Sequence, residues 1–139
     1  MRLHIVARGR IGRGAEADLV ARYVKRMNWP TVVTELGDAA AWPPLPLRAR
    51  TVVLDERGLA LDTRDFADRL SKWRDDGASE ARFLIGAADG HDSATRGRAD
   101  LLLSFGPATW PHLMVRAMLA EQLYRATSLL AGHPYHREG

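Results

Sequence analysis

Residues 50–86, RTVVLDERGLALDTRDFADRLSKWRDDGASEARFLIG, hold one complete strand–helix–strand unit and settle the fold class of the chain. Thr51-Val52-Val53-Leu54 is a continuous apolar run, the composition of a strand buried on both faces, and Asp55-Glu56-Arg57-Gly58 closes it. Asp62 then has the side chain of an N-cap, opening a helix that carries Phe66, Leu70 and Trp73 on one face and stops before Gly77. Arg82 to Ile85 is the next strand, ending at Gly86. Two strands joined through a helix lie parallel in one sheet, because a tight hairpin can join only antiparallel neighbours.

The flanks repeat the alternation. On the N-terminal side, Leu3 to Ala7 reads as a strand, followed by the basic glycine loop Arg8-Gly9-Arg10-Ile11-Gly12-Arg13-Gly14. A helix follows over Ala15 to Met27 with Val20, Tyr23, Val24 and Met27 on one side, and Trp29-Pro30 ends it. Thr31 to Leu36 is a β-branched strand, and residues 37–48, with Gly37, Pro43, Pro44 and Pro46, form a connection that needs no helix. On the C-terminal side come a short helix near Ser93 to Ala99, a strand at Leu101-Leu102-Leu103, and a long helix after Pro111. In that helix Val115, Met118, Leu119, Leu123, Ala126, Leu129 and Leu130 recur at three- and four-residue spacing, and Gly132 stops it. The predicted fold is α/β: a mainly parallel sheet of five to six strands with helices on both faces, in one domain over residues 1–139 without repeats or linkers.

Composition narrows the function. There are no cysteines, so disulfides, thiolate metal sites and a cysteine nucleophile are excluded, in keeping with a reducing compartment. No apolar run approaches the roughly 18 residues of a membrane span, so the chain is expected to be soluble and cytoplasmic. The net charge is +3, and the cations are eighteen arginines against Lys25 and Lys72. Arginine grips phosphate with a planar fork and stacks on bases, which makes nucleic acid a candidate partner. A GC-rich genome gives the same bias, so charge alone does not decide.

Ligands of open parallel sheets sit outside the carboxyl ends of the strands, which points to the loops after Leu54, Ile85 and Leu103. Gly86-Ala87-Ala88-Asp89-Gly90 lacks both the GxGxxG spacing and a Gly-Lys-Ser/Thr ending, so neither NAD nor ATP is indicated, and a plain strand-to-helix turn is the competing reading. Ser104-Phe105-Gly106-Pro107-Ala108-Thr109-Trp110 is too apolar for an ordinary exposed loop; its backbone can hydrogen-bond an adenine between apolar walls, with a buried connection as the rival. The tail His133-Pro134-Tyr135-His136-Arg137-Glu138 concentrates polar and aromatic groups where most chains fray. His133 and His136 lack a helical metal register, so no metal is expected, and no GxSxG elbow marks a serine hydrolase.

Taken together, Pro111-His112, Arg116, Ala120-Glu121-Gln122-Leu123-Tyr124-Arg125-Ala126 and the 133–138 tail resemble the large-subunit (23S) rRNA pseudouridine N3-methyltransferase family, of the SPOUT class. The resemblance extends to Val52-Val53-Leu54-Asp55, Phe83-Leu84-Ile85-Gly86 and Ala7-Arg8-Gly9-Arg10. It implies a C-terminal trefoil knot, S-adenosyl-L-methionine held by the knotted loops, a homodimer, and 23S rRNA in the large subunit or assembled ribosome as partner. The implied cofactor contacts are Leu54, Gly86, Phe105, Gly106, Pro107, Ala108, Thr109 and Trp110. His112, Tyr135, His136 and Arg137 match the positions tied to catalysis and rRNA contact. Ala87 stands where the family usually has a second glycine, Pro107 removes an amide donor, and the 37–48 connection is short by about a helix. These departures are what a non-catalytic RNA- or ribosome-binding module of the same fold would carry; a methyltransferase acting on tRNA is a further alternative.

Overall fold

The fold comes from a computed structural model that describes residues 1–138, leaving Gly139 and the side chains of Arg137 and Glu138 outside the described residues. Five strands, β1 (Arg2–Arg8), β2 (Thr31–Leu36), β3 (Arg50–Ala60), β4 (Glu80–Ile85) and β5 (Leu101–Ser104), form one parallel sheet in the order β2-β1-β4-β3-β5. The helices are α1 (Ala15–Arg26), α2 (Thr63–Asp75), α3 (Ser93–Gly97) and α4 (His112–Leu130), with a 3-10 turn over Pro134–Glu138. Asp62 caps α2 as its sequence position implies, its carboxylate accepting from the Asp65 amide at 2.8 Å. Gly132, at φ +74°, ends α4 in the left-handed conformation that glycine adopts freely.

The two sheet faces are covered differently. Leu3, Ile5, Val52, Phe83 and Leu101 project to one face and pack against Phe66, Leu70 and Trp73 of α2 and Leu119, Leu123 and Ala126 of α4. Each large side chain buried there contributes roughly 1.5–3 kcal/mol. Next to them α1 lies on α4 through Val20, Ala117 and Ala120. Among the described residues the opposite face receives α3 with the turn to Ala99 and the proline-rich strap of residues 37–49, whose Trp42 packs on Val6, Val53 and Leu84. A parallel sheet must be covered on both sides, and here a strap replaces helices.

That strap is fastened by a charged network buried on its side of the sheet. Glu80, 1 % exposed, receives Arg2 Nε at 2.9 Å, Arg82 Nε at 2.8 Å and His4 Nδ1 at 3.3 Å. Arg82 in turn donates to the carbonyls of Pro43 and Pro44 at 2.8 and 3.0 Å. Strand β3 differs from its sequence expectation. It continues past Leu54 to Ala60, and both Leu54 and Leu59 are paired with Leu103 of β5, so residues 55–58 bulge out between them. At Gly58 the chain presses on β5 so closely that a Cβ would lie 2.5 Å from the Leu102 carbonyl carbon and oxygen. Glycine is required there by space.

Candidate active site

Because every strand runs the same way, their C-terminal ends share one edge of the sheet. There the segments after Leu54, Ile85 and Leu103 enclose an open cavity of about 690 Å³. Each wall has a local cause. After β4, Gly86 enters a turn closed by the Gly90 amide on the Ala87 carbonyl at 2.9 Å, and a Cβ at Gly86 would stand 3.0–3.3 Å from Gly90 and His91. After β5, the Ser104 hydroxyl accepts from the Gly106 amide at 3.1 Å and donates to the Gly106 carbonyl at 2.8 Å, and Gly106 has φ +104°. Trp110 Nε1 donates to the Phe105 carbonyl at 3.3 Å, which folds the loop over. On the β3 side, Asp55 accepts from the Arg57 amide at 2.9 Å and pairs with Arg96 at 3.6 Å. Thr109 reaches Glu56 at 3.3 Å and joins the β3 and β5 walls.

Of the residues singled out in the sequence, Leu54, Gly86, Phe105, Gly106, Ala108, Thr109 and Trp110 line this cavity, as does His112 at the start of α4. Pro107 lies within the same loop without lining it. Ala87 is not at positive φ; Arg48, at φ +61°, is the only non-glycine residue there among the described residues, so the missing glycine causes no backbone strain. The sequence reading missed Asp55, Glu56, His91 and Arg96, which also line the cavity. Asp55 and Glu56 directly follow the strand end already chosen as a site, which was a usable signal, whereas Arg96 comes from another helix and left none.

The tail is elsewhere. Tyr135 packs edge-on against Tyr124 at 4.7 Å, beneath the Arg125 guanidinium, with its hydroxyl 3.4 Å from that of Tyr23. Burial, the Tyr23 hydrogen bond and the nearby Glu121 push its pKa up to about 12, so the phenol keeps its proton at neutral pH. Tyr124 follows His112 by twelve residues, roughly 18 Å along α4. Within one chain, therefore, Tyr135 and His136 are not brought to the cavity. His136 Nδ1 is buried without a hydrogen-bond partner among the described residues, and the Arg137 side chain lies outside them.

No helix of the described residues is long and apolar enough to cross a membrane, and no group of three or more His, Asp or Glu among them is placed to hold a metal. A cavity walled by three strand-end loops of a parallel sheet, with the last helix rising from its rim, is where an open α/β fold binds its ligand, and a family model assigns this one to the SPOUT class of methyltransferases. The family model described as "Predicted SPOUT methyltransferase" matches residues 39–136. A solved structure, a probable methyltransferase from Bordetella pertussis Tohama I, aligns with TM-score 0.61 over 91 % of this chain and 94 % of that one at 14 % identity, a likeness of fold alone. In sequence, the chain is 66 % identical over 140 residues to the Ribosomal RNA large subunit methyltransferase H of Rhizorhabdus wittichii, with all of both chains covered. It is 62 % identical over 141 residues, again with full coverage, to the protein of that name from Novosphingobium aromaticivorans. The chain belongs to the ribosomal RNA large subunit methyltransferase H family. Its compact length is shared with both relatives, so the short strap is no peculiarity of this chain.

Proposed function

We propose that this protein transfers a methyl group from S-adenosyl-L-methionine to N3 of a pseudouridine in 23S rRNA, acting in the cytoplasm on the assembled ribosome as a homodimer with a C-terminal trefoil knot. The observation that carries this reading is the meeting of Leu54, Gly86, the 105–110 loop and His112, the positions that the family resemblance implies, on one cavity. Its volume suits a nucleoside-sized ligand, Leu54, Phe105 and Trp110 offer apolar walls, and Asp55, Glu56 and Asp89 offer carboxylates to a cationic one.

S-adenosyl-L-methionine, when bound, supplies a methyl group on a positively charged sulfur that needs no further activation. The chain's residues have three remaining tasks. The loop backbones at Gly86 and 105–110 would hold the cofactor, with Pro107 shaping the loop rather than lining the cavity. His112, at the cavity rim, accepts the proton that leaves N3 of the base. His136 is the other candidate for that proton, and Arg137 positions phosphate or the charge developing on the base. Arg10 and Arg13 are exposed on the loop after β1, at the same edge of the sheet, where they can meet the phosphate backbone.

The dimer is supported by a groove of about 730 Å³ lined by Leu19, Tyr23, Phe66, Met114 and Met118, which shares Phe105 and Gly106 with the cavity. A second copy seated there would bring its own groups to the same loop.

The test is incorporation of labelled methyl from S-adenosyl-L-methionine into ribosomes, mapped by nuclease digestion and mass spectrometry. Label at N3 of one pseudouridine of 23S rRNA is expected, falling at least about tenfold, or about 1.4 kcal/mol, in His136→Ala or Arg137→Ala. Label only in tRNA, or none with ribosomes and tRNA both supplied, would overturn the reading.

A further inference from the structure

One titratable group at the cavity has no part in the mechanism above. His91 follows the Gly86–Gly90 turn, and its ring lies behind that turn, its Cε1 3.3 Å from where a Gly86 Cβ would be. Its Nε2 donates to the Leu84 carbonyl at 3.2 Å. Burial lowers its pKa, with the Leu84 carbonyl, Asp55 and the Leu54 backbone opposing and Arg8 adding to the effect, so the ring is neutral at neutral pH. The backbone carbonyl of His91 receives Arg96 Nη1 at 2.5 Å, and Arg96 also pairs with Asp55 across the cavity. Through His91 and Arg96 the β4 and β3 walls are joined.

The same ring is buttressed by the strap. Trp42 stands 5.8 Å from it, centroid to centroid, tilted by 42°. Trp42 is fixed in turn by its indole N–H on the Thr95 hydroxyl at 3.3 Å and by the Arg8 guanidinium 4.0 Å above its ring. Arg8 is itself tied to the strap, donating to the carbonyls of Gly37 at 3.0 Å and Ala40 at 2.7 Å. Arg8, Trp42 and His91 therefore form a continuous stack from the end of β1 to the back of the cavity wall. A guanidinium over an indole face is attracted by the ring's quadrupole, which holds the two groups in register.

We propose that His91 is a positioning residue of the cofactor cavity, and that the 37–49 strap, through Arg8 and Trp42, sets the Gly86–His91 wall in its binding conformation. The proposal rests on reading this cavity as the S-adenosyl-L-methionine site. None of the three residues touches the reacting atoms, so their loss acts on affinity. The stack is also a physical route from the basic loop beside Arg10 to the cofactor wall.

The experiment compares wild type with Trp42→Ala, Trp42→Phe and His91→Leu in two measurements. The first needs no ligand: hydrogen exchange of the amides from Gly86 to Asp92 is expected at least about tenfold faster in Trp42→Ala and close to wild type in Trp42→Phe, which keeps an aromatic face. The second is titration calorimetry with S-adenosyl-L-methionine together with steady-state rates on ribosomes. Trp42→Ala and His91→Leu should weaken binding and raise KM about tenfold, with kcat within about threefold of wild type. Should Trp42→Ala fail to fold, Arg8→Met and His91→Leu carry the same comparisons. Unchanged exchange in the 86–92 loop, or an equal fall in kcat with KM unmoved, overturns the proposal. Wild type that binds no S-adenosyl-L-methionine while the exchange difference persists overturns the cofactor reading and leaves the strap's mechanical role standing.

Discussion

Replacing Glu80 tests whether the buried charge network holds the strap on the sheet. In Glu80→Ala, Arg2 is half exposed and can return to water, but Arg82 is 3 % exposed and keeps only the Pro43 and Pro44 carbonyls. His4, 6 % exposed, loses its carboxylate too. Removing one partner of a buried ion pair costs about 3–5 kcal/mol, mostly through the charge left without compensation. A domain of this size has roughly 5–15 kcal/mol in total, so the melting temperature should fall by roughly 10–20 °C. Glu80→Gln keeps the volume but turns an NH₂ toward a cation, and should lose most of the same amount. Glu80→Leu combined with Arg82→Met removes the buried charge and should recover at least about half of it. Urea or thermal unfolding at one fixed protomer concentration reads all three. If Glu80→Ala and Glu80→Gln both stay within about 1 kcal/mol of wild type, burial of the network contributes nothing and the reasoning fails.

The same network sets a pH dependence. Burial raises the Glu80 pKa, but Arg2, Arg82 and His4 outweigh it and leave the pKa below the usual 4.5; its contribution to stability is complete above that value and is lost as pH falls through the lower folded one. The His4 pKa is depressed by burial, with Arg82 and Arg2 adding and Glu80 opposing, so the folded state resists protonation and stability declines earlier, below 6.5. Acid unfolding should accordingly begin in the histidine range and steepen in the carboxylate range, and Glu80→Gln should make the second stage shallower, leaving the part due to Glu35 and Asp92, whose pKa values are lowered as well. Gly58→Ala sets a Cβ against the β5 backbone and should cost about 1–3 kcal/mol, read as a lowered melting temperature; an unchanged one would mean that the contact is loose. Gly86→Ala crowds the 86–91 turn from within, so calorimetry should show weaker S-adenosyl-L-methionine binding with the melting temperature little altered.

Most elements were legible because each apolar run has a period and a stop signal of its own, as at Asp62 and Gly132. The extension of β3 to Ala60 was not. Asp55-Glu56-Arg57-Gly58 has the composition of a turn, and only pairing of Leu59 and Ala60 with β5, permitted by the bare backbone at Gly58, draws it into the sheet. On α4 the apolar spacing marked Leu119, Leu123 and Ala126 correctly, yet Arg116, Thr127 and Ser128 are buried as well, because α1 covers a second side of the helix. Most of their polar groups find partners: the two terminal nitrogens of Arg116 donate to Glu35 and to the carbonyls of Arg8 and Gly9, Thr127 donates to the Leu123 carbonyl, and Ser128 accepts from Asn28, whereas Arg116 Nε is buried without a partner among the described residues. The cavity was legible at strand ends and glycines, where backbone geometry dictates residue type. It was not legible at His91 and Arg96, whose roles depend on which strands become neighbours.

The tail poses the sharpest spatial question, since the residues expected to act on the base lie at the wrong end of α4 from the cavity. Tyr135 is held there by an edge-on contact with Tyr124, the Arg125 guanidinium over its ring and a hydrogen bond to the Tyr23 hydroxyl, and so is tied roughly 18 Å from His112. If the tail acts in catalysis, it must serve the cavity of a second copy, and the groove that shares Phe105 and Gly106 with the cavity is where that copy would sit. Complementation decides this. Gly86→Val should disable the cavity and His136→Ala the tail, and each homodimer should be nearly inactive. After mixing and exchange of subunits about half the dimers are mixed, and each mixed dimer pairs one intact cavity with one intact tail from the other chain, restoring about a quarter of wild-type activity. Tails that served their own cavities would leave the mixture as inactive as its components, because neither chain has both parts intact.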